Sequence, residues 1–161
     1  MKLHLGCGQN YLEGYVNVDN APGVKKDVEW DLTKPPFPFK DNSVDYILCW
    51  NVMEHLDMNI IEFMEEMHRI LKPGGIFRFR VPAAGTYVDF KDPEHIRRFT
   101  PFLLKFFDGQ QKGWYSSAIF GGKIWCTPPF FHKLRLPGWC YLLNSFINNL
   151  VTGVEGEFIK K

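Results

Sequence analysis

The chain has 161 residues, with 19 basic against 18 acidic side chains and a formal net charge of +1. That length suits one domain around a single core, and the balanced charge excludes a general polyanion-binding surface, so no nucleic-acid partner is expected. Cys7, Cys49, Cys126 and Cys140 show no C-x-x-C spacing and no metal-ligand pattern, and neither a charged leader nor a membrane-length apolar run is present. The expectation is a cytoplasmic protein with reduced thiols, no bound metal and no transmembrane segment.

Lys2–Leu5 is a short apolar run that breaks into Gly6-Cys7-Gly8, and Tyr15–Val18 is a second run that stops on Asp19. The pattern reads as a buried strand, a tight turn, and a neighbouring strand ending in a carboxylate. Glycine in that turn lets a ligand approach the backbone closely. Asp19, at the carboxyl edge of its strand, can accept hydrogen bonds from both hydroxyls of a ribose. Glycine turn and terminal acid together describe a nucleoside-binding edge of an open α/β sheet. The dinucleotide fingerprint is broken, because position 11 is Tyr, a third glycine is missing, and Asp19 follows Gly8 too soon. Only six residues separate Gly8 from Tyr15, too few for a helical crossover, so the first connection is predicted to be a turn.

A short edge strand is expected to end at Trp30 or Asp31. Lys34–Phe39 carries three prolines and must be a loop, leading to the turn cluster Asp41-Asn42-Ser43. Val44–Trp50 reads as a buried strand with Asn51 and Val52 at its carboxyl end, where open α/β sheets bind ligands. Met58–Leu71 has the clearest helical period, with Ile60, Phe63, Met64, Met67, Ile70 and Leu71 on one face; this stripe is core. Lys72-Pro73-Gly74-Gly75 should end that helix, and Ile76–Val81 should form a strand closed by Pro82. Thr100 and Pro101 make an N-cap and first residue for a helix over 102–107. Residues 110–136 suggest an irregular, aromatic-rich antiparallel pair, 142–151 a helix, and 154–160 a closing strand.

Five segments carry a resemblance: Leu3-His4-Leu5-Gly6-Cys7-Gly8, Gly14–Asp19, Phe37–Asp45, Val52-Met53-Glu54-His55-Leu56 and Leu71–Gly75. In this order and spacing they resemble class I S-adenosylmethionine-dependent methyltransferases of the type 11 group, and the segment Asp92–Pro101 is similar to one in many of its members. The resemblance implies an α/β, Rossmann-like methyltransferase fold: a mostly parallel open sheet with helices on both faces and an antiparallel carboxy-terminal strand pair. It further implies one domain over residues 1–161, a small member lacking the helix that relatives carry before the first strand. Residues 102–161 would be a divergent, aromatic-rich substrate or cover region. The implied cofactor is S-adenosylmethionine. Its methionine end would lie on Gly6, Cys7 and Gly8, its ribose on Asp19, its adenine on Asp31 and Leu32, and its methyl side by Asn51 and Val52; Asn20 completes the cofactor set. His4 stands where the family often has an acid, which leaves the methionine amino group without its usual partner.

Methyl transfer is an in-line displacement, so the protein mainly aligns the attacking atom, methyl carbon and sulfur in a dry pocket. A base helps when the acceptor is a hydroxyl or a protonated amine, and His55 and His95 are the candidate catalytic residues. The plain alternative for His55 is a helix-start residue that bonds backbone; Glu54 reads as a cap or a His-orienting carboxylate. Arg97, Arg98, Lys133 and Arg135 are either solvated surface or contacts to an anionic acceptor. The aromatic residues from Phe99 to Phe146 either cover the acceptor or fill the core. The expected acceptor is a small molecule, such as a sugar, lipid or other metabolite, and a homodimer stays open. Two rivals stand beside this reading: a nucleotide-linked enzyme such as an oxidoreductase, and a catalytically inactive binding or regulatory protein that keeps the S-adenosylmethionine fold.

Overall fold

The structure is a computed structural model and describes residues 1–107, 116–128, 135–137 and 151–161. Its strands are β1 (Lys2–Leu5), β2 (Val16–Asp19), β3 (Val28–Glu29), β4 (Val44–Trp50), β5 (Leu71–Pro82), β6 (Phe120–Thr127), β7 (Leu136–Pro137) and β8 (Gly153–Lys160). They form one sheet in the order β3-β2-β1-β4-β5-β8-β6-β7. The first five strands pair in parallel, with Leu5 beside Val18 on one side and beside Cys49 on the other. β8 runs antiparallel between β5 and β6, and β7 runs antiparallel on the outer side of β6. Strand order reverses between β1 and β4, and the carboxyl ends on either side of that switch are where such sheets hold ligands.

The connections from β1 to β2, β2 to β3 and β3 to β4 contain no helix. A side chain replaces one in the first of them. Asn17, fully buried on β2, accepts from the Leu12 amide at 2.9 Å and donates to the carbonyls of Leu12 and Tyr15 at 3.0 and 3.1 Å. It also accepts from His4 Nδ1 at 3.2 Å. Those bonds satisfy backbone groups that a helix would otherwise pair. Arg69 serves the proline-rich loop in the same way: its guanidinium donates to the Phe37 and Phe39 carbonyls at 3.0 and 2.9 Å, while Glu66 accepts from the Phe37 amide at 2.7 Å.

Both residues of that clamp sit on α1 (Ile60–Ile70), whose N-cap Asn59 accepts from the Ile61 amide at 2.9 Å. The helix buries Phe63, Met64, Met67 and Ile70, the stripe the period predicts. Its end differs from expectation. Leu71 already pairs with Val44, and Lys72–Gly75 is absorbed as a register irregularity inside β5. Beyond the sheet centre lie α2 (Tyr87–Phe90), capped by Thr86, and α3 (Pro101–Lys105), capped by Thr100. The expected helix over 142–151 falls almost wholly outside the described residues. Among the described aromatics of the carboxy-terminal half, Phe99, Phe107 and Phe120 are buried in the core, and Phe120 stacks on Phe158 with centroids 5.4 Å apart. These three fill the core, whereas Phe102 is exposed. No described helix is long and apolar enough to cross a membrane.

Candidate active site

Two cavities open at the carboxyl ends of the parallel strands. The first, of about 280 Å³, lies at the switch between β1 and β4. Its wall includes Gly6, Asp19 and Asn20 from the ends of β1 and β2, and Asp31, Leu32, Asn51 and Val52 from the loops after β3 and β4. Seven of the nine residues expected around the cofactor therefore meet in one cleft. Cys7 and Gly8 stand just behind it: the buried Cys7 thiol turns to the Lys25 carbonyl, and the Gly8 amide donates to Asp19 Oδ2 at 2.8 Å. Asp19 Oδ1 accepts from the Ala21 amide, also at 2.8 Å. The carboxylate, only 8% exposed, is thus aimed by two backbone bonds and keeps lone pairs for a ligand.

Gly6 has φ +61°, and a Cβ there would stand 2.4 Å from Val52 Cγ2. Only glycine lets Val52 close on the turn. Asp31 Oδ1 accepts from the Thr33 amide and hydroxyl at 3.0 and 2.7 Å, and these bonds hold its carboxyl below the usual range. Trp30, Thr33, His55 and Leu56 complete the wall. Sequence reasoning missed Trp30, Thr33 and Leu56; their adjacency to Asp31 and His55 was the available signal. His4 takes no part, since it is buried against Asn17 and burial lowers its pKa.

The second cavity, of about 230 Å³, shares Asn51 and His55 with the first and adds Glu54, Arg80, Lys91, Asp92, His95 and Thr152 among its lining. Asn51 is the hinge between the two. It has φ +53°, in the left-handed region that non-glycine residues seldom adopt, and its amide donates to the Arg80 carbonyl at 2.9 Å. Glu54 and His55 lie on a single 3-10 turn, Met53–His55. The loop carrying His95 is docked onto that turn: the amides of Ile96 and Arg97 donate to the Glu54 carbonyl at 3.0 and 3.1 Å. Arg97 also donates to the Met58 carbonyl.

Both expected histidines thus reach one place, their ring centroids 4.8 Å apart. His55 Nδ1 lies 3.2 Å from the Glu94 carbonyl, and His95 Nδ1 lies 2.9 Å from the Asp89 carbonyl. A carbonyl only accepts, so each Nδ1 carries a proton, and in the neutral imidazole it is Nε2 that holds the lone pair. Glu54 is 1% exposed, and neither of its oxygens has a hydrogen-bond partner among the described residues. Burial pushes its pKa up to about 7; Asp92 and Asp89 add to the rise, while its own backbone amide and Arg80 oppose it. Of the cations proposed for an anionic acceptor, Arg98 instead pairs with the buried Asp89 at 3.1 Å and Arg135 stacks on Trp125. Lys133 lies outside the described residues. The cations that do face the cavity are Arg80 and Lys91.

Residues 3–79 match the family model described as a methyltransferase domain, type 11. The match covers a little under half of the chain, and the fold agrees with it, so residues 3–79 are similar to an S-adenosylmethionine-dependent methyltransferase domain. An S-adenosylmethionine-dependent methyltransferase of Archaeoglobus fulgidus has a similar structure, with TM-score 0.73 at 18% identity over 99% of this chain and 85% of that one. Phosphoethanolamine N-methyltransferase 2 of Haemonchus contortus, solved with S-adenosylmethionine, gives 0.65 at 12% identity over 99% of this chain and 48% of its own. An uncharacterised protein of Methanocaldococcus jannaschii is 50% identical over 38 residues, a stretch that spans 24% of this chain and 16% of that protein. The first cavity fits that cofactor: an aimed carboxylate faces it, apolar Leu32, Val52 and Leu56 flank it, and the turn beneath tolerates no side chain.

Proposed function

We propose that the chain transfers the methyl group of S-adenosylmethionine to a small acceptor held in the second cavity. The observation that carries this reading is the sharing of Asn51 and His55 by the two cavities, which sets an acceptor against the methyl end of the first. The bound cofactor supplies an electrophilic methyl on a sulfonium with a neutral leaving group. Asp19 accepts from the ribose hydroxyls and Asp31 from the adenine amino group, while Leu32 beside the ring and Val52 on the methyl side exclude water. His55 and His95 present Nε2 lone pairs to the acceptor, in the simplest case to receive its proton. Arg80 and Lys91 favour an acceptor that carries negative charge. Two free, buried cysteines (Cys7 and Cys49) agree with a reducing compartment, and we place the protein in the cytoplasm.

Calorimetric titration of S-adenosylmethionine and of NAD into wild type and Asp19→Ala tests the cofactor half. A hydrogen bond to a charged group contributes about 1.5–3 kcal/mol, so Asp19→Ala should weaken S-adenosylmethionine at least tenfold while NAD stays silent throughout. A folded wild type that ignores S-adenosylmethionine overturns the proposal. Release of S-adenosylhomocysteine across a panel of sugars, lipids and small metabolites tests the transfer half; binding with no release from any of them favours a non-catalytic binding protein.

A further inference from the structure

Glu54, His55 and His95 offer one ligand atom each, and these atoms all lie within 4.8 Å of one another. Two further facts make this more than proximity. Each imidazole has its Nδ1 proton committed to a backbone carbonyl, as zinc-ligating histidines do, which in the neutral ring leaves Nε2 as the electron-pair donor of a side chain that lines the cavity. The Glu54 carboxylate is buried beside them with both oxygens unpartnered among the described residues. A buried carboxylate in that state is expensive unless a proton, a donor or a cation reaches it. The described neighbours supply no donor to it: Arg80 lines the same cavity without bonding Glu54, and Asp92, 3.7 Å from His95 Nε2, brings a second anion.

We propose that Glu54, His55 and His95 form a binding site for one divalent transition-metal ion at the floor of the second cavity. The donor set, two neutral imidazoles and a carboxylate, suits zinc, iron, manganese or cobalt and disfavours the all-oxygen preference of magnesium and calcium. Ligand atoms about 2.0–2.2 Å from one tetrahedral ion stand about 3.3–3.6 Å apart, so groups already within 4.8 Å of one another need to close by at most about 1.5 Å on binding. Three protein ligands leave open positions, and these face the space assigned to the acceptor. Asp92 is placed to become a further ligand or to balance the charge of Arg80 and Lys91, which face the same cavity. The metal would thus hold an acceptor oxygen beside the methyl group, and the imidazole lone pairs would serve it rather than a proton. This inference rests on the methyltransferase reading for its purpose but not for its existence.

The test starts from chelator-treated protein titrated with zinc or cobalt alone, with no cofactor or acceptor present. Wild type should bind one ion per chain, and cobalt should give the visible absorption of a site containing nitrogen ligands. His95→Ala and Glu54→Gln should each weaken binding at least tenfold. The second variant is nearly isosteric and removes only the charge and one donor oxygen. Binding of S-adenosylmethionine, measured in the same variants, should persist and so reports that the fold and the cofactor cleft survive. Wild type that takes up no zinc or cobalt overturns the proposal, as does uptake that neither variant weakens. Loss of S-adenosylmethionine binding by wild type would instead count against the methyltransferase reading and leave the metal site standing.

Discussion

The two cavities differ most in how each treats its buried carboxylate. Asp19 and Glu54 are similarly hidden, at 8% and 1% exposure. Asp19 accepts from two backbone amides before any ligand arrives, whereas Glu54 has no hydrogen-bond donor among the described residues. The first is a finished acceptor, fixed in direction and ready for neutral hydroxyls. The second is an incomplete one whose surroundings demand something positive. An acid at a strand end and an acid on a 3-10 turn thus have opposite chemistry, and the number of amides aimed at each decides which.

The largest effect expected from disturbing this contrast is at His55, which lines both cavities. His55→Ala should lower turnover about a hundredfold or more, the scale of a lost proton-transfer or positioning group, while S-adenosylmethionine affinity stays within a few-fold. The readout is S-adenosylhomocysteine release with whichever acceptor supports it. Unchanged turnover would remove His55 from the chemistry and leave it a backbone-bonding turn residue.

Next comes the pH dependence of folding in metal-free protein. Glu54 titrates near 4.5 when unfolded and about 7 when folded. Between those values the folded state holds more protons, so stability falls as pH rises through this window. The fall approaches about 3 kcal/mol by pH 7 and above. Urea denaturation across that range should show the decline in wild type and a nearly flat line in Glu54→Gln. A flat wild-type profile would mean that Glu54 finds a partner and would remove the contrast with Asp19. The smallest effect belongs to the first cavity's turn. Gly6→Ala forces a left-handed alanine against Val52, at a cost of about 1–3 kcal/mol, read as a lower Tm together with weaker cofactor binding.

Much of the first cavity was legible because its residues come from strand ends, and strand ends are marked by local pattern. The apolar run of β4 and the acid closing β2 each identify themselves within a few residues. Cys7 was placed on the cavity wall by its neighbours, but the positive φ at Gly6 redirects the chain and carries the thiol toward Lys25. The second cavity was legible only in pieces. His55 and His95 were each visible as candidates, but their meeting depends on backbone bonds from Ile96 and Arg97 to the Glu54 carbonyl. Those bonds leave no mark on side-chain type. Nor did the sequence distinguish Arg80, hidden in an apolar strand pattern, from Arg98, whose exposed surroundings conceal its pairing with buried Asp89.

The place of β8 in the sheet has a consequence for the order in which the molecule can assemble. Strands β1 to β5 and α1 form one parallel unit whose partners have all been synthesised once β5 is made. β6 cannot join that unit directly, because the slot beside β5 belongs to β8, which pairs with β5 from Ile76 to Pro82 and with β6 along its other side. On a ribosome, β6 and β7, which pair only with each other, therefore stay detached from the sheet until a strand about 25 residues later in the chain emerges, and the β5 edge stays open for the same interval. An open edge of alternating Phe77, Phe79 and Val81 is a template for unwanted pairing. Chains released before β8 should aggregate through it rather than persist as a smaller folded protein.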